Sequence, residues 1–319
     1  MRPRSGRTLN HRAVFLVASR SDVAGHLSSP RDWGHDGCGE GPAWQWDPSL
    51  FAGCAPFYVR GRVAYPSTLA DLLVDVLNLD GRGRLLDLGC GPGSLTLLLA
   101  SHFEEAVGVD ADEEMLAEGV RRAVAAGVTN IAWVQGKGED ISPDLGNFRV
   151  ATMAASFHWM DRGRVAGLLR QRLIDDGVLV FVHTTMQRGV DGTAPLSDPR
   201  PPRQQIDALV AEFLGEGRRA GLGYRQMDSE DERARKDASI LRAAGFTGPT
   251  RLEVPGWVVD RDAEEVVASV FSMSYAAPHL FGDRLGQFEL ELRSVLEQAS
   301  PTGEFSEEMG EIGVELWRR

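Results

Sequence analysis

The chain is expected to fold as a doubly wound α/β sheet. Three observations lead there. Short apolar runs of strand length alternate with segments of helical period, the pattern of parallel strands joined by crossover helices. A glycine-rich turn, Gly89-Cys90-Gly91-Pro92-Gly93, follows the apolar run Leu85-Leu86-Asp87-Leu88 and runs into a helix opening at Ser94. A second run, Ala106 to Val109, closes on an acid, Asp110. Glycines at alternate positions allow positive φ and let a ligand approach with no Cβ in the way. Such turns hold nucleotide-like ligands at the carboxyl ends of parallel strands.

In chain order, Leu69, Leu72, Leu73, Val76 and Leu77 recur at helical spacing and place one apolar stripe on a core. Asp80-Gly81 ends that helix, and Arg84 to Leu88 is the first strand. After the glycine turn, Leu95, Leu97, Leu98 and Leu99 give a short buried helix. The second strand closes at Asp110, and Glu113 to Ala125 is helical. Ile131 to Val134 makes a third strand and Arg149 to Ala155 a fourth, followed by Ser156-Phe157-His158-Trp159-Met160-Asp161. A helix from Arg162 to Leu173 leads to the fifth strand, Val178 to His183.

Residues 185–228 then break the pattern with Pro195, Pro199, Pro201 and Pro202 around one amphipathic piece, Ile206 to Leu214. An insertion there reads as a lid on the acceptor side. Glu230 to Ala244 returns to helix. Ala263 to Val267 and Leu285 to Leu296 look helical, and Arg251 to Val254 and Ile312 to Trp317 would close the sheet in antiparallel fashion. Phe271, Met273, Tyr275, His279 and Phe281 form an apolar patch that either lines a pocket or packs as core.

The totals bound the function. With 319 residues, 43% hydrophobic and 25% charged, the chain has length for one large domain. Its net charge of -12 and lack of a basic run argue against a surface grip on nucleic acid. Cys38, Cys54 and Cys90 cannot all pair and fit no zinc spacing, so a reduced, cytoplasmic protein is expected. No apolar run approaches the ~20 residues of a membrane helix. Arg2, Arg4 and Arg7 precede Ala13 to Ala18, but this run falls short of a secretory core of ~7–15 residues. Residues 1–44 are expected to be a disordered extension to a domain spanning 45–319. His35, Asp36 and Cys38 read as a solvated loop, and no metal is expected.

The Gly-x-Gly-x-Gly turn differs from the Gly-x-Gly-x-x-Gly of dinucleotide-binding turns. Together with Asp87 and Asp110, it resembles the first motifs of class I S-adenosylmethionine (SAM)-dependent methyltransferases. Ser156-Phe157-His158-Trp159-x-Asp161 resembles the fourth motif of the small-molecule branch that includes trans-aconitate and ubiquinone-pathway enzymes. Tyr58-x-Arg60-x-Arg62-x-x-Tyr65-Pro66 resembles a segment that caps the cofactor in that branch. The resemblance covers residue 46 to the end and implies a seven-stranded, Rossmann-like methyltransferase fold with SAM as cofactor.

It implies cofactor contacts from Asp87, Gly89, Cys90, Gly91 and Gly93 at the turn, and from Asp110 and Ala111 at the ribose. Met115 would lie on the adenine, Arg62 at the methionyl carboxylate, and Gly138, Glu139, Ala154 and Ser156 around the site. The family's usual Gly-Asp-Ala-Glu reads Gly136-Lys137-Gly138-Glu139 here. A lysine cannot accept a hydrogen bond, so the adenine amine falls to the backbone near Gly138, to Glu139 or to Asp140. His158 is the candidate general base or acceptor-orienting group, with a structural anchoring role as its alternative. The expected reaction is methyl transfer to a small-molecule acceptor. The rival readings are a SAM-binding regulatory module without catalysis and a nicotinamide-dependent oxidoreductase. Acceptor identity and oligomeric state do not follow from these residues.

Overall fold

The computed structural model describes residues 47–215 and 230–319, together with two-residue strands at 16–17, 219–220 and 223–224. The strands are β1 (Leu16–Val17), β2 (Arg84–Leu88), β3 (Glu105–Asp110), β4 (Ile131–Gln135), β5 (Phe148–Ala154), β6 (Leu173–His183), β7 (Arg219–Ala220), β8 (Gly223–Tyr224), β9 (Thr247–Val254), β10 (Trp257–Asp262), β11 (Glu304–Met309) and β12 (Ile312–Arg318). The helices are α1 (Ala55–Gly61), α2 (Ser67–Leu77), α3 (Ser94–Leu99), α4 (Glu113–Ala125), α5 (Arg162–Arg172), α6 (Arg203–Leu214), α7 (Glu230–Ala243), α8 (Ala263–Phe271) and α9 (Leu285–Ala299).

The main sheet runs β1-β4-β3-β2-β5-β6-β12-β9. The pairs from β1 through β6 are parallel, whereas β12 runs antiparallel to both β6 and β9. Seven of these strands are those read from the sequence, and the expected antiparallel end is formed by β12 and β9. The eighth, β1, falls within the stretch expected to be an extension; the rest of residues 1–46, including the His35-Asp36-Cys38 group, lies outside the described residues.

Alternation along the parallel strands explains the two core layers. Leu86 and Leu88 pack with Val165 and Leu169 of α5 and Leu241 of α7 on one face. Leu85 points the other way, toward Leu69 and Leu73 of α2 and Leu95 and Leu99 of α3. All these leucines are essentially fully buried, and each contributes roughly 1.5–3 kcal/mol.

A second assembly was not anticipated. β10 and β11 form a separate antiparallel ribbon. Beside it, α6, α8 and α9 bury Phe213, Phe271, Phe281 and Phe288 against one another. The patch around Phe271 and Met273 is therefore core, not pocket lining. Ser306 and Glu307 of β11 are buried too, and their polarity hid the strand from a hydropathy reading. Ser306 Oγ donates to Asp260 at 2.7 Å, and Glu307 meets Arg203 and Arg261.

Candidate functional site

The glycine turn after β2 takes positive φ at Gly89 (68°), Gly91 (54°) and Gly93 (73°). The three serve different ends. A Cβ at Gly89 would sit 2.5 Å from Cβ of Ser156, so this glycine lets the strand-5 loop close over the turn. A Cβ at Gly91 would meet nothing within 4 Å, so that position faces open space. A Cβ at Gly93 would lie 2.3 Å from the Trp133 ring, which also fills the space beside Gly108 and Gly119. Gly93 lines none of the recesses described below. The absence of a side chain at Gly93 makes room for the Trp133 ring. Arg122 of α4 holds the turn from outside, donating to Pro92 O at 2.8 Å and to Ser94 Oγ at 3.1 Å.

Asp110 closes β3 beside this turn. Its Oδ2 accepts from Gly91 N at 2.7 Å and its Oδ1 from Asp112 N at 2.9 Å. A carboxylate oxygen has two lone pairs, so each keeps one for a ligand. Burial raises its pKa to about 6, with the two backbone hydrogen bonds opposing the rise. Asp87 lies beneath the turn, accepting from Thr96 Oγ1 at 2.5 Å and Thr152 Oγ1 at 2.8 Å. Burial raises its pKa as well. The Cys90 thiol is pushed up by burial and is no nucleophile.

Among the described residues, three recesses open at the carboxyl ends of the strands. The first is lined by Gly89, Gly91, Asp110, Ala111, Met115, Gly138, Glu139, Ala154 and Ser156, which brings together nine of the expected cofactor residues. Phe51, Tyr58, Trp159 and Met160 complete its apolar walls, with Phe51 and Trp159 edge to face at 5.5 Å. Met115 is buried against Cys54 and Ala277. Lys137 lines this recess as well. Glu139 Oε1 accepts from Asp161 N at 2.5 Å, whereas its buried Oε2 has no hydrogen-bond partner among the described residues. Asp140, the other acid considered for this position, instead meets Arg164 at 3.2 Å near the surface.

The second recess lies between the turn and α1 and is lined by Arg62, Asp87 and Cys90, together with Tyr58, Gly89 and Ala154. Arg62 is already held: Nε donates to Ser272 Oγ at 2.9 Å, Nη2 to Ser272 O at 2.9 Å and Nη1 to Gln187 Oε1 at 2.6 Å. Its guanidinium also lies 4.6 Å from the centre of the Tyr58 ring. Three of its five N–H groups are used and two remain.

The third recess, about 780 Å³, lies on the far side of the strand-5 loop. It is lined by His158, His183, Thr184, Thr185, Gln187 and the β11–β12 end around Met309 to Glu311. His158 belongs here and not in the first recess. Its ring packs 4.7 Å from that of Trp159, which lines the first recess. Thr185, Gln187 and Val190 of the expected lid line this cavity, whereas α6 packs away from it onto α8 and α9. His183 was not singled out from sequence; its one signal was its place at the end of a strand in an α/β sheet.

All three recesses meet at Ala155. That residue follows β5 with φ 49°, a left-handed conformation unusual for a residue other than glycine. Backbone strain of this kind clusters at functional sites. Ala155 lines all three recesses, and Ser156 lines both the first and the third.

A family model described as a methyltransferase domain matches residues 85–173, the run from β2 to the start of β6. The chain is 31% identical over 140 residues to an uncharacterised methyltransferase of Mycobacterium tuberculosis, covering 44% of this chain and 54% of that protein. It is 31% identical over 117 residues to the trans-aconitate 2-methyltransferase of Mycobacterium ulcerans, covering 36% and 38%. The chain thus spans about half the length of the first of these relatives. The solved YcgJ protein of Bacillus subtilis matches with a TM-score of 0.45 and 18% identity, over 80% of this chain and 99% of that one.

Proposed function

We propose that this chain, which matches a methyltransferase-domain family model over residues 85–173, is a class I SAM-dependent methyltransferase that transfers the methyl group of SAM to a small-molecule acceptor. The observation that carries the reading is the convergence of three recesses at Ala155, two suited to a cofactor and one large enough for an acceptor.

The residues present fit the cofactor. Asp110 keeps a lone pair on each oxygen for the two ribose hydroxyls. Glu139 Oε2, buried and without a hydrogen-bond partner among the described residues, suits the adenine amine that Lys137 cannot serve. Met115, Phe51 and Trp159 offer apolar faces to the base. The two remaining N–H groups of Arg62 suit a carboxylate, since its planar fork matches two oxygens.

When bound, the cofactor supplies an electrophilic methyl on a sulfonium with a neutral thioether as leaving group, suited to in-line displacement. The protein's part is mainly placement. Holding an acceptor aligned at the Ala155 edge is worth ~7–11 kcal/mol by effective molarity. A ring nitrogen of His158 would take the acceptor's proton where the acceptor must lose one, because His158 lines the acceptor cavity. A recess of about 780 Å³ and a net charge of -12 favour a small acceptor over nucleic acid. A reducing, cytoplasmic setting fits Cys54 and Cys90, both buried with free thiols. Among the described residues, no helix is long and apolar enough to cross a membrane.

The test is to incubate the protein with methyl-tritiated SAM and separated cell-extract fractions of small metabolites, RNA and protein. Label is expected in the metabolite fraction. Label confined to RNA or protein would refute the acceptor class, and no transfer by a protein that binds S-adenosylhomocysteine would favour the regulatory reading.

A further inference from the structure

Gln187 stands where the cofactor side and the acceptor side of the molecule touch. Its side chain accepts from Arg62 at 2.6 Å, and it lines the acceptor cavity. Its main-chain oxygen accepts from Arg203 Nη2 at 3.3 Å and from Arg261 Nη1 at 3.1 Å. Both arginines meet Glu307, Arg203 Nε at 2.8 Å and Arg261 Nη1 at 3.1 Å. Glu307 and Arg261 are each only 3% exposed.

The connections close a ring. Arg203 Nη1 donates to Ser269 Oγ at 3.1 Å, Ser272 Oγ donates to Ser269 O at 2.8 Å, and Ser272 in turn accepts from Arg62. Arg261 also donates to Gly61 O at 2.8 Å, which fixes the backbone just before Arg62. Two arginines and one glutamate buried together are costly to desolvate, so such a cluster is a poor source of stability. What it does supply is position. The ring leads to Gln187 and Ser272, the two residues whose three oxygens hold Arg62 from the side.

We propose that Gln187, anchored by the buried Arg203–Glu307–Arg261 cluster, is a positioning residue that aims the Arg62 guanidinium at the carboxylate of the bound cofactor. The inference rests on the SAM reading above and deepens it. The geometry makes the effect selective. Gln187 touches the guanidinium and lies outside the recess holding Asp110 and Glu139, so only ligands bearing the amino-acid end should sense its loss.

The experiment measures calorimetric affinities for S-adenosylhomocysteine, which has that carboxylate, and 5′-methylthioadenosine, which lacks it. Wild type, Gln187→Leu and Ser272→Ala are compared. Gln187→Leu should bind S-adenosylhomocysteine about tenfold more weakly, the scale of one hydrogen bond to a charged group. Its affinity for methylthioadenosine should stay within about twofold of wild type, with Ser272→Ala showing the same selectivity. Equal losses for both ligands, or none for either, would overturn the positioning role. Wild type that binds the two ligands equally would also overturn it while leaving the cofactor reading intact. Binding of neither ligand by folded wild type would remove the cofactor reading itself.

Discussion

Lowering the pH should detach the cofactor before it harms the fold. Asp110 titrates at about 6 because burial penalises its charge. Its ionised form offers acceptors to two ribose hydroxyls, and protonation removes one of them. Affinity for S-adenosylhomocysteine should therefore be flat from pH 8 to 7 and fall toward a factor of ten per unit below about 6, reaching about tenfold at pH 5. Asp112 and Asp87 face Asp110 and are also raised by burial, so they act in the same direction. Stability moves oppositely. The folded protein binds the Asp110 proton more tightly than the unfolded chain, whose reference lies at 3.8. This group therefore adds stability as pH falls from about 6 toward 4 and withdraws it as pH rises through that window. Titration calorimetry at pH 5, 6 and 7.5, with Asp110→Asn as control, measures the first effect, and thermal melts of the unliganded protein measure the second. An affinity that does not change between pH 7.5 and 5 would refute the assignment of Asp110 to the ribose.

Other substitutions separate roles within the site. Gly93→Ala, forced against Trp133 at φ 73°, should lose roughly 2–4 kcal/mol of stability in denaturant titration. Gly91→Ala, with open space around the added methyl, should cost only ~1–2 kcal/mol of strain yet weaken S-adenosylhomocysteine strongly by entering the recess. Glu139→Gln should lower that affinity about tenfold and reduce the preference for the adenine ligand over its inosine analogue, measured by competition. His158→Ala should leave cofactor affinity within about twofold and slow turnover about 100-fold or more, if the acceptor carries a proton to lose. Unchanged turnover would return His158 to anchoring the loop.

Much of this architecture is legible in the residues because local and global signals agree. The strand-turn-helix at residues 84–99 is announced by apolar alternation, three glycines and a leucine stripe, and all three features are realised. Asp110 and Met115 could be placed because a strand end and a helix start are fixed by nearby sequence. What escaped notice depends on distant partners. The buried face of β11 carries Ser306 and Glu307, whose burial is compensated by Asp260, Arg203 and Arg261, so no hydropathy pattern marks it. The third glycine of the turn looks like its companions in sequence. Only the position of Trp133, 40 residues on in the chain, separates its role from theirs. His158 was found through its motif, but the recess it lines is set by the β11–β12 end and by Thr184, Thr185, Gln187 and Val190, which local reading could not bring together.

The most direct measurement is a calorimetric titration of S-adenosylhomocysteine into the wild-type protein and into Asp110→Ala, each shown by circular dichroism to be folded. Micromolar or tighter binding to the wild type, lost by at least 100-fold in the variant, is the result expected of a SAM site built on Asp110 and the glycine turn. Absence of binding to the folded wild type, or equal binding by the variant, would contradict it.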